Sequence, residues 1–252
     1  MILRRLIALV LLAVFGAVKM PVETSLDAAQ KSALLRSTAL DLDLREQVGQ
    51  MGFLAALSGF RSPLAAVLWI EAHTAWERTE WGRMASLFDT VTGLQPRSTL
   101  YWDMAAWHMA WNASVAALND ESVQSEALRQ RNQRQYFELG KGILERGIRN
   151  NPNSSFLHER MAILLRDKFE DHCGAAEAFS KAAELPNAAP YVARFAAYEM
   201  AKCPGREREA YDHLRSLYEK GESQRLPTLL TLLQEMEKNL DVPPADRIES
   251  PK

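Results

Sequence analysis

The sequence predicts an all-α protein built from antiparallel helix pairs, and three observations lead to this class. Helix-forming residues dominate, since Ala, Leu, Glu, Arg and Gln recur throughout while the 252 residues include only 12 glycines. Alternating runs of β-branched residues, which would indicate strands, are few. Apolar residues instead recur at intervals of three and four, and prolines that close helical runs recur at a fixed distance. We therefore expect almost no sheet.

The length and charge of the chain limit the classes of function. A chain of 252 residues, 47% of them hydrophobic, suffices for one principal packed domain. The 30 basic residues are balanced by 32 acidic ones. A dedicated nucleic-acid binder needs excess positive charge to neutralise phosphates, so we predict no nucleic-acid partner.

Residues 1–20 form a predicted signal anchor or transmembrane segment, in which Arg4 and Arg5 precede an apolar run over residues 6–18. As a helix this run rises about 20 Å, which favours a cleaved signal peptide. Residues 2–20 span about 28 Å if the arginines snorkel, which favours an uncleaved single-pass anchor. We expect the anchor, with secretion after cleavage as the alternative. The arginines stay cytoplasmic in both cases, so the domain is expected to be extracytoplasmic, periplasmic or on the cell surface.

The rest of the chain divides into three predicted regions. Residues 21–40 are a juxtamembrane stalk, residues 41–240 a helical repeat domain, and residues 241–252, with three prolines among charges, a disordered tail. The repeat domain opens with an amphipathic helix that ends near residue 62. Its apolar stripe consists of Leu44, Val48, Met51, Leu54, Leu57 and Phe60.

A spacing of 34 residues recurs between residues 63 and 220. Pro152 and Pro186 are separated by 34 residues and each closes a polar turn. Pro96 closes a third. The 56 residues between Ala106 and Ala162 imply an insertion of 22 in the second repeat, whose first helix is predicted to start near residue 99 and whose second helix is predicted to run over about residues 135–149. The polar stretch between these helices, at about residues 117–134, is predicted to extend both of them or to form a polar loop. Small residues repeat at the same spacing in four helices: Ala72 and Ala106, and Ala162 and Ala196.

These residues resemble the tetratricopeptide repeat family, whose first helix reads Trp-x2-Leu-Gly-x2-Tyr and whose second reads Ala-x3-Phe-x2-Ala before a proline. The best first helix is Trp102-x2-Ala105-Ala106-x2-Met109, and the best second helix is Ala175-x3-Phe179-x2-Ala182. Alanine always takes the family's glycine position. The resemblance implies a solenoid of helix pairs, with the helix over residues 226–240 as its C-terminal cap.

The resemblance also implies a concave groove, lined by fixed positions of each first helix, that holds a protein or peptide partner. All six tryptophans lie between residues 69 and 111, in the first two repeats. Aromatic side chains give large contact area at low entropic cost, and flanking charges set the orientation of a bound segment. The groove positions carried over from the family are Trp69, His73, Trp76, Glu77, Asp103, Trp107, Trp111, Glu159, Ile163, Arg166 and Asp167.

Two alternatives compete with this interpretation. Tryptophans at helical spacing are usually core residues, and the helix over residues 44–60 could fill the groove, which would leave a purely structural subunit. A hydrolase or metal enzyme would have to use His73, His108 and Glu77, but no phosphate loop, nucleophile elbow or metal-ligand spacing accompanies them. We expect no catalysis, cofactor, metal or small-molecule substrate.

Cys173 and Cys203 fall between the two helices of consecutive repeats, and stacking of the kind found in the family brings such turns close together. In an oxidising compartment the two thiols could form a disulfide. The alternative is two unpaired, half-buried thiols.

Overall fold

The computed structural model of the chain describes residues 59–248, and within this range it contains helices and no strand. These residues belong to the larger of two compact units, Ala39–Lys252. The predicted anchor, the stalk and the amphipathic helix up to residue 58 lie outside the described residues, as do residues 249–252. Phe60, the last residue of the predicted apolar stripe, is exposed. No helix between residues 59 and 248 has the length and apolar composition that crossing a membrane requires.

The α-helices are connected by short turns, except that a π-helical stretch, His108–Ala113, continues α3 directly into α4. A single 3₁₀ turn precedes α10 and another follows it. The α-helices are α1 (Arg61–Glu77), α2 (Trp81–Leu94), α3 (Thr99–Trp107), α4 (Ser114–Leu118), α5 (Glu126–Asn150), α6 (Ser155–Phe169), α7 (His172–Glu184), α8 (Pro190–Met200), α9 (Glu207–Glu219) and α10 (Pro227–Asn239).

Helices that follow one another in sequence pack against each other. α1 pairs with α2, the combined α3–α4 segment with α5, α6 with α7, and α8 with α9, while α10 packs on α9. We call α1, α3, α6 and α8 the first helices of these pairs. First helices also meet between pairs, as α3 does with α6. The alanines that recur at 34-residue spacing are all buried where helices pack: Ala72, Ala106, Ala162 and Ala196.

Local sequence signals fix where several helices begin. The Ser154 hydroxyl accepts a hydrogen bond from the Leu157 amide at 3.2 Å, and the Asp171 carboxylate accepts one from the Gly174 amide at 2.8 Å. Both satisfy amides that a helix N-terminus leaves without a partner. Pro190 and Pro227 occupy first-turn positions, where the missing amide proton costs nothing.

The insertion over residues 117–134 mainly lengthens a helix. α4 ends at Leu118, a turn follows, and α5 starts at Glu126, well before the start near residue 135 that the sequence analysis assigned. The Ser125 hydroxyl caps this start by accepting from the Leu128 amide. The insertion is therefore an extended helical hairpin and not a long loop.

Residues 241–248 differ from the predicted disordered tail. Val242 and Ile248 are buried against α9 and α10, in the last cluster of the core. The Ile248 amide donates to the buried Glu237 carboxylate at 2.9 Å. Two apolar residues among prolines and charges are too few to show a pattern in sequence, but their burial packs this segment against α9 and α10.

Candidate functional site

An open cavity of about 380 Å³ lies between the first helices α3 and α6. α3 and the π-helical stretch form one wall, α6 forms the other, and Leu144 of α5 contributes to the lining. Its volume is in the range of sites that hold a ligand or a large side chain. The lining residues are Asp103, Met104, Ala106, Trp107, Trp111, Leu144, Arg160, Ile163 and Asp167.

The charged side chains around the cavity are paired with one another. Arg160 Nε lies 3.6 Å from Asp103 Oδ1, and the guanidinium also covers the Phe156 ring at 4.8 Å. Burial raises the pKa of Asp103, against the lowering effect of Arg160. Asp167 accepts from Arg166 Nε at 2.6 Å. The cavity therefore presents an apolar interior with balanced charges at its edge, which suits an apolar side chain better than an ion.

Exposed aromatic rings extend from the cavity towards α1. Trp107 is 42% exposed and Trp76 is 37% exposed. His73 stacks on Trp76 with ring centroids 5.2 Å apart. We call His73, Trp76 and Trp107 the aromatic face. The rings of Trp76 and Trp107 both contact His108, at 6.0 and 5.0 Å, so one buried imidazole supports both indoles.

His108 is held in its neutral form. Burial, together with the positive potential of His73, lowers the pKa of His108 from 6.5 to about 4. Its Nδ1 lies 3.0 Å from the Asn112 amide nitrogen, which is the donor, so the ring proton resides on Nε2. Among Trp76, Trp107 and Phe88, His108 packs as an aromatic ring.

The six tryptophans do not all belong to the surface. Trp102 is buried and donates its indole proton to the Pro96 carbonyl at 3.0 Å. Trp69 packs against Phe88 and Tyr101, and Trp81 and Trp111 are likewise half-buried against the core. The six tryptophans therefore divide between core and surface: four pack in or against the core, and Trp76 and Trp107 are exposed.

The predicted groove residues are brought together in part. Asp103, Trp107, Trp111, Ile163 and Asp167 line the cavity. On the aromatic side, His73 lies 3.6 Å from Glu77 at the exposed end of α1.

Glu159 and Arg166 were predicted to line the groove, but both side chains make their contacts elsewhere. Glu159 is buried and accepts the Tyr191 hydroxyl proton at 2.8 Å. Arg166 covers the Phe179 and Phe195 rings at about 6 Å and is not part of the lining. Arg160, which the sequence analysis missed, faces the cavity. Residues 160, 163 and 167 follow the helical spacing i, i+3, i+7, a signal that could have identified Arg160.

A disulfide joins Cys173, in the first turn of α7, to Cys203, in the turn after α8. The two Cα atoms are 5.1 Å apart. Beside it, the buried Glu199 carboxylate contacts His172 Nδ1 at 2.6 Å and Lys202 Nζ at 3.0 Å. The third and fourth helix pairs are thus connected at one end by the disulfide and by the contact between His172 and Glu199.

Residues 59–248 contain no group of three or more His, Cys, Asp or Glu side chains arranged to hold a metal ion. Two histidines of the aromatic region, His73 and His108, both contact the Trp76 ring.

No family model matches the sequence, and no curated protein matches it significantly. The assignment of a function consequently rests on the geometry of the helices and of this cavity.

Proposed function

We propose that this chain is a non-catalytic, tetratricopeptide-like adaptor that holds a segment of a partner protein against its first helices. The observation that carries the proposal is the exposed Trp107 at the edge of a 380 Å³ cavity whose charges are already paired. An apolar anchor of the partner enters the cavity, and the aromatic face supports the neighbouring part of the segment. The helix pairs and the buried alanines at 34-residue spacing support a solenoid of this type.

The energetics favour a protein segment as the occupant. Fully burying a large apolar side chain is worth roughly 1.5–3 kcal/mol. Trp107 is 42% exposed and Trp76 is 37% exposed, so a partner that covers them gains part of that stabilisation. Two such indoles beside an apolar cavity form the kind of centre that supplies most of the energy of a protein interface. Asp103 and Arg160 form an ion pair at the rim. They can therefore orient the segment, and the rim has no net charge that would repel it.

The N-terminal segment and the cysteines support the proposed location. The basic and apolar residues 4–18 support a single-pass anchor with the domain on the extracytoplasmic side. A disulfide between Cys173 and Cys203 is typical of oxidising compartments. The partner is therefore proposed to belong to an assembly of the cell envelope.

A second candidate is a structural subunit, and exposed apolar residues of α1 favour it. Val67 and Ile70 are 50% and 64% exposed there, and the apolar stripe over residues 44–60 directly precedes this helix. Quenching by acrylamide separates the candidates. The emission of Trp107 is identified as the fluorescence that is lost in the variant Trp107→Phe. If the chain is an adaptor with an open groove, acrylamide should readily quench this emission. If the chain is a structural subunit whose groove is filled, the emission of Trp107 should be protected from acrylamide.

The adaptor proposal is tested by blocking the cavity. Ile163→Arg places a long charged side chain in the lining, whereas Leu226→Arg alters an exposed leucine in the turn before α10 and serves as the control. Full-length variants are expressed in place of the native chain, and the size of the complex extracted with mild detergent is measured. The Ile163 variant should release the chain from its assembly while its melting temperature stays close to that of the control. An unchanged complex contradicts the proposal.

A further inference from the structure

Three cations surround a pair of phenylalanine rings next to the cavity. Arg134 and Lys141 lie on one stripe of α5, and their charged groups are 5.9 and 5.4 Å from the Phe169 ring centroid. Lys168, at the end of α6, lies 5.5 Å from the Phe137 ring. The two rings themselves pack edge to face at 6.1 Å. We call Arg134, Lys141 and Lys168 the cation cluster.

Among residues 59–248 no acidic side chain lies within ion-pair distance of the cation cluster, although the nearby Asp167 carboxylate acts electrostatically on Lys168 and offsets part of the effect of burial. None of its three members forms an ion pair there, whereas several ion pairs of this region join residues three or four positions apart. The neighbouring carboxylate of Asp167 is bound by Arg166. Burial lowers the pKa of Lys168, because its ammonium is partly removed from water. An added carboxylate would relieve that cost, since an opposite charge stabilises a partly buried cation.

Lys168 connects the cation cluster to the cavity. Its Nζ lies 4.9 Å from the Trp111 ring, and Trp111 lines the cavity. Contacts of cations with aromatic rings are worth about 0.5–1 kcal/mol each at exposed sites, enough to bias these long side chains towards the rings. Lys168 is thereby held beside the cavity before any partner arrives, and Arg134 and Lys141 are held against the Phe169 ring.

We infer that the cation cluster binds an acidic segment of the partner, immediately beside the apolar anchor that enters the cavity. This inference rests on the proposed adaptor function and adds the charge of the partner to it. A protein segment fits better than an anionic membrane, because Lys141 and Lys168 are half-buried and Lys168 lies against Trp111 of the cavity. A flat lipid surface is met most readily by protruding cations.

Three fluorescent octapeptides test the inference against the full-length chain in mild detergent. The first has four glutamates followed by Leu-Leu-Phe-Leu, the second replaces the glutamates with glutamines, and the third replaces the apolar half with serines. Binding is measured by fluorescence anisotropy at low and at physiological salt. The triple variant Arg134→Gln, Lys141→Gln, Lys168→Gln is compared with a charge-matched control. The control neutralises three exposed cations elsewhere: Arg149→Gln, Lys220→Gln and Lys238→Gln.

The first peptide should bind at least tenfold more tightly than the second, and this advantage should shrink with salt and disappear in the triple variant only. Failure of the first peptide to bind at millimolar concentration, or an equal loss in the charge-matched control, overturns the inference. Vesicles of phosphatidylcholine with 30% phosphatidylglycerol form a separate arm. Binding to vesicles that depends on the cation cluster, without any preference for glutamates, assigns the surface to a membrane and also overturns it.

The same experiment separates this inference from the adaptor proposal. The contribution of the apolar half to the affinity is obtained by comparing the first peptide with the third. This contribution should fall in the variant Ile163→Arg and persist in the triple variant. Loss of the glutamate preference with a retained apolar contribution is a failure of the present inference alone. Absence of any apolar contribution is a failure of the adaptor proposal.

Discussion

Gly140 lies where α5 crosses α3 and the π-helical stretch, and replacing it with alanine tests that close contact. A Cβ atom at residue 140 would lie 2.8 Å from the Cβ of Ala110 and 3.0 Å from the carbonyl oxygen of Ala106. Neither atom can rotate away, because one is an alanine methyl group and the other is backbone. The helices must therefore separate, and such overpacking costs about 1–3 kcal/mol.

Gly142, two residues along the same helix, supplies a matched control. A Cβ atom there would meet no heavy atom within 4 Å. Both substitutions gain the same intrinsic helix propensity, about 0.8–1.0 kcal/mol. Gly142→Ala should therefore stabilise the protein by about that amount, whereas Gly140→Ala should be neutral or destabilising by up to about 2 kcal/mol.

The assay is thermal unfolding of the two full-length variants, followed by circular dichroism. For a domain of 150–250 residues, 1 kcal/mol shifts the melting temperature by roughly 2–4 °C. A difference of about 2 kcal/mol, in the middle of the expected range, separates the two variants by about 4–8 °C, with Gly140→Ala the lower. Equal melting temperatures would refute the close approach of α5 to the π-helical stretch.

Protonation of His108, reduction of the disulfide and loss of a C-terminal contact should each lower stability. The pKa of His108 is about 4 when folded and 6.5 when unfolded, so the unfolded chain takes the proton first as pH falls. Stability should therefore drop by up to about 1.4 kcal/mol per unit between pH 6.5 and 4, a slope missing in His108→Gln. The disulfide between Cys173 and Cys203 joins residues 30 positions apart in the sequence. Its reduction should lower the free energy of unfolding, measured in urea, by about 3–4 kcal/mol. Reductant should have no effect on the variant Cys173→Ala, Cys203→Ala. Ile248→Ala should cost about 2–4 kcal/mol in the same assay, and an unchanged midpoint would show that this segment is not packed.

Apolar spacing and turn residues were sufficient to predict several helices in the described region. The predicted start near residue 99 matches α3, and the predicted cap over residues 226–240 matches α10, Pro227–Asn239. In both cases a proline precedes or opens the helix and apolar residues recur at its spacing. The all-α class is confirmed for residues 59–248 for the same reason.

The early start of α5 could not be found from apolar spacing. Residues 126–131 are mostly exposed and consist of glutamate, alanine, leucine, arginine and glutamine. Such residues favour helix but form no buried stripe, so nothing distinguishes a solvated helix from a polar loop. The serine cap at residue 125 was the available signal.

The residues that line the cavity overlap the predicted groove positions only in part. A shift of one residue on an α-helix rotates a side chain by about 100°, which exchanges the buried Glu159 for the cavity-lining Arg160. The sequence could not fix that register, because alanine stands in the family's glycine position. The division of tryptophans between core and surface depends on packing partners such as Phe88 and Tyr101, which only the folded arrangement brings together.

Crosslinking from the aromatic face tests most directly whether a partner protein binds there. A photoreactive phenylalanine derivative replaces Trp107 in the full-length chain, and a second variant has it in place of the exposed Leu128 on α5. Irradiation of intact cells should yield a discrete adduct with one polypeptide from position 107, none from position 128, and none from position 107 when Ile163→Arg blocks the cavity. An adduct from position 128 alone, or one from position 107 that survives the blocked cavity, would contradict binding at this face.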